Sequence, residues 1–212
     1  MKQNKKEKLV PELRFPEFKE EWKKTQLQEF TKINPNNGNI PNNFYYIDLE
    51  SISKGEISSP FKLLNKNGAP SRAQRYLKKG NVLFQTVRPY QKNNYYFNLD
   101  GDYVASTGYA VLDTKESNYF IYQLIHTDNF VNTVLRRCTG TSYPAIGTED
   151  LKTIFIKTPT LPEQQKISSF LPLIDRKIEL LNKKKELLEI YKKGVMQKIF
   201  NRDIRFKDIN GN

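Results

Sequence analysis

The longest regular pattern in the chain lies near its C-terminus, where apolar residues recur every seven positions: Ile167, Ile174, Leu181, Leu188 and Val195. The companion row reads Phe170, Lys177, Lys184, Tyr191 and Lys198, so one row is strong and the other mixed. Leu173, Leu180 and Leu187 widen the stripe on one flank; Leu171, Ile178 and Ile199 widen it on the other. The stripe is too apolar for an ordinary surface helix and too broad for a strict two-stranded seam. It predicts one long helix over 161–202 that packs on a second long helix and on its own domain. A terminal helix folded back onto its own core is the alternative that the pattern leaves open. Pro159 and Pro162 end what comes before. Pro162 sits in the first turn, where a missing N–H is tolerated, and Glu163 suits the positive helix end. From Pro172 to Phe200, at ~1.5 Å per residue, such a helix spans roughly 43 Å.

Upstream the periods are shorter. Trp22 to Phe30 reads as a strand or a short helix. Turns follow at Asn34-Pro35-Asn36-Asn37-Gly38 and Pro41-Asn42-Asn43. Phe44 to Leu49 is aromatic and bounded by turns, hence a strand. Ala73 to Lys79 leads through Gly80 into Val82–Arg88, a buried strand that Pro89 diverts. Tyr103–Ser106 and Tyr109–Asp113 are two short strands around Thr107-Gly108. Tyr119–Ile125 and Phe130–Arg137 are helical, with Asp128 or Thr127 capping the second. Thr153–Lys157 is a closing strand. The expectation is a mixed α/β fold: one irregular α/β domain over 1–160, its first ten residues disordered, then a long coiled-coil-type helix over 161–202 and a tail over 203–212.

Charge sharpens this outline. The chain carries a net charge of +12 over 212 residues and a pI near 9.6, which points to an acidic partner. Between Glu56 and Asp100 there is no acidic residue. That window holds Arg72, Arg75, Lys78, Lys79, Arg88 and Lys92, interleaved with aromatics such as Tyr90 and with Gln74, Gln85, Gln91, Asn93 and Asn94. Lys and Arg supply phosphate contacts; Arg, Gln and Asn can also pair with base edges. We take Arg72, Arg75, Lys78, Lys79, Arg88, Tyr90, Gln91 and Lys92 as candidate DNA contacts, against the alternative of a solvated basic face around core aromatics. Further on, Arg136-Arg137 precede Thr139-Gly140-Thr141-Ser142-Tyr143. Backbone N–H groups and the hydroxyls of Thr141 and Ser142 could hold a phosphate there, with Tyr143 beside them. Equally, the loop could be the turn that ends a helix at Gly140.

Catalytic readings are weak. His126 is the sole histidine and falls on an apolar helix, which suits packing better than proton transfer. Cys138 follows two arginines that could lower its pKa, but a lone thiol reads as a spectator. One Cys and one His cannot make a zinc site of any usual spacing. There is no Asn/Asp-Pro-Pro-aromatic motif for adenine methylation, and Glu21-Trp22-Lys23 is only a faint nuclease-like Glu-x-Lys. No run approaches the ~18 apolar residues of a membrane span. A single cysteine excludes an internal disulfide and fits a reducing cytoplasm.

The end of the chain also restates its beginning: Arg14-Phe15-Pro16-Glu17-Phe18 is echoed by Arg205-Phe206-Lys207-Asp208-Ile209. This looks like the opening of a second copy. Pro11 to Phe18 with Trp22, Val82-Leu83-Phe84 with Val87 to Tyr90, Ser106 to Leu112, Thr139 to Ile146, and Leu161-Pro162-Glu163-Gln164-Gln165-Lys166-Ile167 with its helix occur in that order. In these stretches the chain resembles a specificity (S) subunit of a type I restriction–modification system, or one half of such a subunit. Members of that family usually hold two target recognition domains, each followed by a long helix; this chain holds one of each. The resemblance implies that the domain reads half of a bipartite duplex DNA target and has no catalytic residue, metal or cofactor of its own. It implies partner methyltransferase (M) subunits that carry S-adenosylmethionine, a nuclease (R) subunit, and a cytoplasmic, membrane-free setting. A homodimer is expected through the helix, with Ile174, Ile178, Leu181, Leu188 and Tyr191 at the seam.

Overall fold

Val82–Gln85 is buried at every position, as are the first four residues of Tyr109–Asp113. Strands that alternate in side-chain direction yet stay apolar throughout must be covered on both faces. The computed structural model, which describes residues 9–206, shows what covers them.

In chain order the elements are β1 (Lys23–Gln26), α1 (Leu27–Phe30), β2 (Lys32–Ile33), β3 (Asn43–Ile47), β4 (Ile52–Ser53), β5 (Glu56–Ile57), β6 (Lys62–Asn65), β7 (Ala73–Tyr76), β8 (Val82–Gln85), β9 (Tyr95–Tyr96), β10 (Tyr103–Ser106), β11 (Tyr109–Asp113), α2 (Asn118–Ile125), α3 (Asp128–Leu135), α4 (Thr148–Lys152), β12 (Phe155–Thr158) and α5 (Leu161–Phe200). One sheet has the order β2-β11-β8-β9 and a second β6-β3-β10-β7. Among the described residues only the β3–β10 pairing is parallel, with Tyr103 opposite Tyr45. The register of β8 on β11 places Phe84 against Ala110 and Leu83 against Val111. Val82, Phe84, Ala110 and Leu112 therefore point one way, into a core with Ile121 and Ile125 of α2 and Phe130 and Val134 of α3. Leu83, Tyr109 and Val111 point the other way, onto Ile47, Leu77, Phe97 and Ala105. The second sheet's far face carries a smaller core of Phe44, Tyr46, Ala73 and Val104.

The mixed α/β class and the strands over Tyr103–Ser106 and Tyr109–Asp113 match the sequence pattern. Both ambiguous readings at Trp22–Phe30 are realised in succession, as β1 then α1. Thr127 rather than Asp128 caps α3, its Oγ1 accepting from the Phe130 N–H at 3.4 Å. The buried strand stops at Gln85 instead of Arg88. Beyond it, Thr86 N–H donates to the Gly108 carbonyl and Arg88 N–H to the Pro144 carbonyl, so the chain leaves the sheet. The short elements β2, β4, β5, β6 and α4 offer too few residues for a period to register.

Two compact units follow from the contacts, one ending at Ser168 and the other beginning at Ser169. The first closes on itself. β1 pairs antiparallel with β12, Lys23 facing Thr158 and Gln26 facing Phe155. The first turns of α5 complete the closure. Glu163 is 1% exposed and receives Arg14 Nε at 2.8 Å and Nη2 at 2.7 Å. The Trp22 indole N–H donates to the same carboxylate at 3.3 Å, and its ring meets Phe120 edge-on at 6.2 Å. The carboxylate in turn raises the Arg14 guanidinium's pKa. Gln164, also 1% exposed, donates to Glu116 and to the Pro159 carbonyl. Sequence reasoning gave Glu163 only a role at the helix dipole; its burial among Arg14 and Trp22 depends on residues far upstream.

In the second unit, α5 runs on to Phe200 with Pro172 inside it. Proline has no N–H to offer the Ser168 carbonyl four residues back, so the helical ladder lacks a bond there. Ile174, Ile178, Leu181, Leu188 and Tyr191 are between 41% and 70% exposed. Of the echoed motif, Lys207, Asp208 and Ile209 lie outside the described residues, as do residues 1–8 of the expected disordered start. Among the described residues no helix is long and apolar enough to cross a membrane.

Removing one member of a buried charge pair strands the other without a partner. Glu163→Leu is therefore expected to destabilise the first unit by about 3 kcal/mol. Urea denaturation followed by tryptophan fluorescence checks this; an unchanged midpoint would mean that the closure is held elsewhere.

Candidate nucleic-acid interface

A cleft of about 700 Å³ opens where the ends of β3 and β8 meet the loops that follow them. Its walls carry Asp48, Glu50, Arg72, Gln85, Arg88, Gln91, Asn93 and Tyr143, with Leu49, Ile52 and Val87 as apolar floor. Each wall is fixed by local bonding. Asp48 Oδ1 accepts from the Glu50 and Ser51 N–H groups, both at 3.0 Å, and from the Ser51 hydroxyl at 2.9 Å. That turn delivers the chain into the β4–β5 hairpin. Its two central residues, Lys54 at φ 52° and Gly55 at φ 80°, have the left-handed backbone of a two-residue hairpin turn. The left-handed φ of Gly55 favours glycine, and a Cβ there would also stand 2.7 Å from the Tyr122 hydroxyl. The Lys54 N–H donates to Asn93 Oδ1 at 3.0 Å, which ties the hairpin to the opposite wall.

That opposite wall is a tight loop. Arg88 and Lys92, both at φ 54°, bracket the 3₁₀ turn Pro89–Gln91. The loop Thr139–Ala145 is laid alongside. Thr139 and Ala145 exchange backbone bonds at 2.9 Å, and Val87 bridges to Ala145. Gly140, at φ +85°, makes the turn; a Cβ there would lie 3.1 Å from the Tyr143 carbonyl oxygen. This settles the purpose of that glycine. α3 ends at Leu135 with Arg136 as its cap, so Gly140 turns the following loop and does not terminate the helix. The loop's geometry places the Tyr143 ring 4.2 Å beneath the Arg88 guanidinium.

The cleft thus gathers Arg72, Arg88, Gln91 and Tyr143 from the residues singled out in the sequence. The others lie elsewhere. Lys79 is paired with Asp100 at 2.9 Å, and Lys92 with Asp128 at 2.6 Å. Arg75 lies half-buried on β7, its Nε lacking a hydrogen-bond partner, and burial lowers its pKa. Arg136 and Arg137 belong to a second cleft of about 520 Å³ with Trp22, Lys24, Phe130, Phe155 and Lys157. Arg137 is committed there to the Asp150 carbonyl at 3.0 Å and Thr153 Oγ1 at 2.6 Å. Lys78, Tyr90, Thr141 and Ser142 are exposed outside both linings. An acid-free stretch of sequence therefore did not make an acid-free surface: Asp48 and Glu50 line the main cleft from just outside the window, and Asp100 and Asp128 pair with its lysines. Asp48 and Glu50 were not foreseen, because only the β3–β8 neighbourhood brings them to Arg72 and Arg88.

Among the described residues no group of three or more His, Cys, Asp or Glu could hold a metal ion. Burial raises the Cys138 thiol's pKa, opposite to the direction its two neighbouring arginines suggested.

A model of the type I restriction modification DNA specificity domain matches residues 19–190. The chain belongs to that family. The specificity subunit of type I restriction enzyme HindI from Haemophilus influenzae is 25% identical over 185 residues, covering 80% of this chain and 38% of that protein. The MjaVIII specificity subunit from Methanocaldococcus jannaschii is 33% identical over 96 residues, covering 45% and 23%. Among solved structures, the HsdS subunit from Thermoanaerobacter tengcongensis superposes with a TM-score of 0.67 at 29% identity, over 84% of this chain and 48% of that one. A chain from a type I R-M system, solved to address complex assembly and conformational transition, gives 0.66 at 28%, over 87% and 50%. This specificity-domain chain thus spans about half the length of those solved chains.

Behind the cleft of the specificity domain stands His126, half-buried at the end of α2. Its Nδ1 donates to the Tyr122 carbonyl at 2.7 Å, leaving Nε2 facing the Asn94 amide at 3.5 Å. Burial lowers its pKa from 6.5, bonding to the Tyr122 backbone opposes that, and the charge of Lys92 adds to it. The unfolded chain therefore binds the proton more readily than the folded one. Stability should be full above pH 6.5 and fall as the pH drops through that value toward the folded pKa. His126→Gln should flatten this acid-side slope, measured as urea midpoints across a pH series; a slope unchanged by the substitution would assign it to other groups.

Proposed function

We propose that the unit ending at Ser168 reads base sequence in one half of a bipartite duplex DNA target, and that α5 spaces this unit and recruits partners. The observation that carries this reading is the cleft that unites Arg72, Arg88, Gln91 and Tyr143 beside a carboxylate. Guanidinium and amide groups in one recess suit base edges as well as phosphates, and membership of the specificity-domain family supports it. The chain would contribute recognition alone. Methyltransferase subunits docked on it would bring S-adenosylmethionine and the catalytic site, and a nuclease subunit would join them.

Two kinds of basic residue should then behave differently. Replacing Arg72 and Arg88 with Ala should lower affinity and relax sequence choice by about 1–3 kcal/mol per lost base pairing. Replacing Lys78 and Lys79 should weaken binding to all duplexes alike and flatten its salt dependence. Fluorescence anisotropy over a salt series with the complete methyltransferase assembly measures both. Affinity indifferent to all four changes would remove the basis for this reading.

The helix is proposed to pair antiparallel with that of a second copy through Ile174, Ile178, Leu181, Leu188 and Tyr191. Its exposed apolar stripe favours a helical partner. Antiparallel alignment can set Lys183, Lys184 and Lys185 against Asp175, Glu186 or Glu189, where parallel alignment would stack like charges. A two-fold dimer would present two identical domains, and so select an interrupted palindrome. Leu181→Lys combined with Leu188→Lys should yield folded monomers in sedimentation analysis. An unsubstituted chain that sediments as a monomer at tens of micromolar would refute the pairing.

A further inference from the structure

The cleft contains a side chain whose two ends are chemically opposite, and the surrounding bonds decide which end faces outward. Gln85 closes β8 and is 2% exposed. Its backbone N–H donates to Asn94 Oδ1 at 2.9 Å. Its side-chain Oε1 accepts from the Asn93 backbone N–H at 3.2 Å. A backbone N–H can only donate, so Gln85 Oε1 must lie on that side and its Nε2 on the other. Gln85 Nε2 in turn donates to Gln91 Oε1 at 3.0 Å. Gln91 thus has its acceptor turned inward onto a buried donor, and its amide N–H₂ is left for the exposed side of the cleft. Reversing it would oppose two N–H₂ groups across 3.0 Å and leave the buried Gln85 donor unsatisfied.

Resting on the base-reading role proposed above, we infer that Gln91 is a specificity-determining donor and that Gln85 is the positioning residue that fixes its polarity. So held, Gln91 has its Oε1 aimed inward at Gln85 and its N–H₂ aimed outward, so it meets a base edge as a donor rather than through the two-ended amide contact that reads adenine. It favours a base whose major-groove edge presents acceptors at that point, guanine through O6 and N7 or thymine through O4. Arg72 and Arg88 in the same cleft are donors as well. Glu50 opposes a purely phosphate-binding reading. Its carboxylate has no hydrogen-bond partner among the described residues and lines the same cleft, where it would repel a phosphate but could accept from an exocyclic amino group.

The test is selection of bound duplexes from a randomised library by the complete methyltransferase assembly, comparing the unsubstituted chain with Gln91→Glu and Gln85→Met. Glutamate at 91 can still accept from Gln85 but presents a carboxylate outward. It should move the preference at one base position from guanine or thymine to cytosine or adenine, by roughly tenfold. Gln85→Met frees Gln91 to present either end, and should erode discrimination at that same position only. A Gln91→Glu variant that binds every duplex less well with its preferred base unchanged places Gln91 on phosphate and overturns the inference. So does a variant that behaves like the unsubstituted chain. Gln91 is exposed, so this arm stands even if Gln85→Met does not fold. An unsubstituted assembly that enriches no sequence at all would instead defeat the base-reading role on which the inference rests.

Discussion

A carboxylate shut away from water dominates the architecture. Glu163 has almost no solvent contact, and an ionised carboxylate in that position is costly unless its lone pairs are met. They are met by two bonds from Arg14 and one from Trp22. These residues come from opposite ends of the first unit, so the contact joins its beginning to its end. The start of α5 is thereby fixed to the domain by polar chemistry, while the apolar residues of its later turns are exposed to solvent. A sequence block that looks like a simple helix start serves two purposes at once.

The cleft depends on a second set of constraints, in which side-chain amides hold main-chain N–H groups. Asn94 Oδ1 accepts from the Gln85 N–H, Gln85 Oε1 from the Asn93 N–H and Asn93 Oδ1 from the Lys54 N–H, while the Arg88 N–H meets the Pro144 carbonyl. The left-handed conformations at Arg88 and Lys92 are each uphill for an L-residue with a side chain. They persist because the bonds on either side leave the chain no other path. Arg72, Arg88, Gln91 and Tyr143 then reach the cleft on a frame held by the side chains of Asp48, Gln85, Asn93 and Asn94.

Legibility in the sequence follows the same division. The strands around Thr107-Gly108 and both central helices could be read because their periods span several residues and their caps and turns are local. The choice of cleft residues could not. Arg72 and Arg88 are sixteen positions apart, and they reach one recess through two separate pairings, β7 on β10 and β8 on β11, joined at the Thr107-Gly108 turn. The acid-free window predicted a basic surface, but Asp100 and Asp128 fold back onto Lys79 and Lys92. Charge along a chain is not charge across a surface. The Arg136-Arg137 pair shows the reverse error: adjacency to the Thr139 loop suggested a shared site, yet the helix turn aims them into a different cleft. Family resemblance identified the chain correctly because it compares whole ordered blocks, which folding preserves.

The antiparallel register of β1 on β12, with Lys23 across from Thr158, carries an implication for how such chains diversify. The first and last strands of the unit lie side by side, so the backbone enters and leaves through one doorway. A segment with neighbouring ends can be cut out and replaced by another of different length without moving what flanks it. Exchanging the segment between those two strands would replace the whole proposed recognition surface in one event, and the incoming segment would have to supply its own partners for Trp22 and Gln164 in place of Phe120 and Glu116.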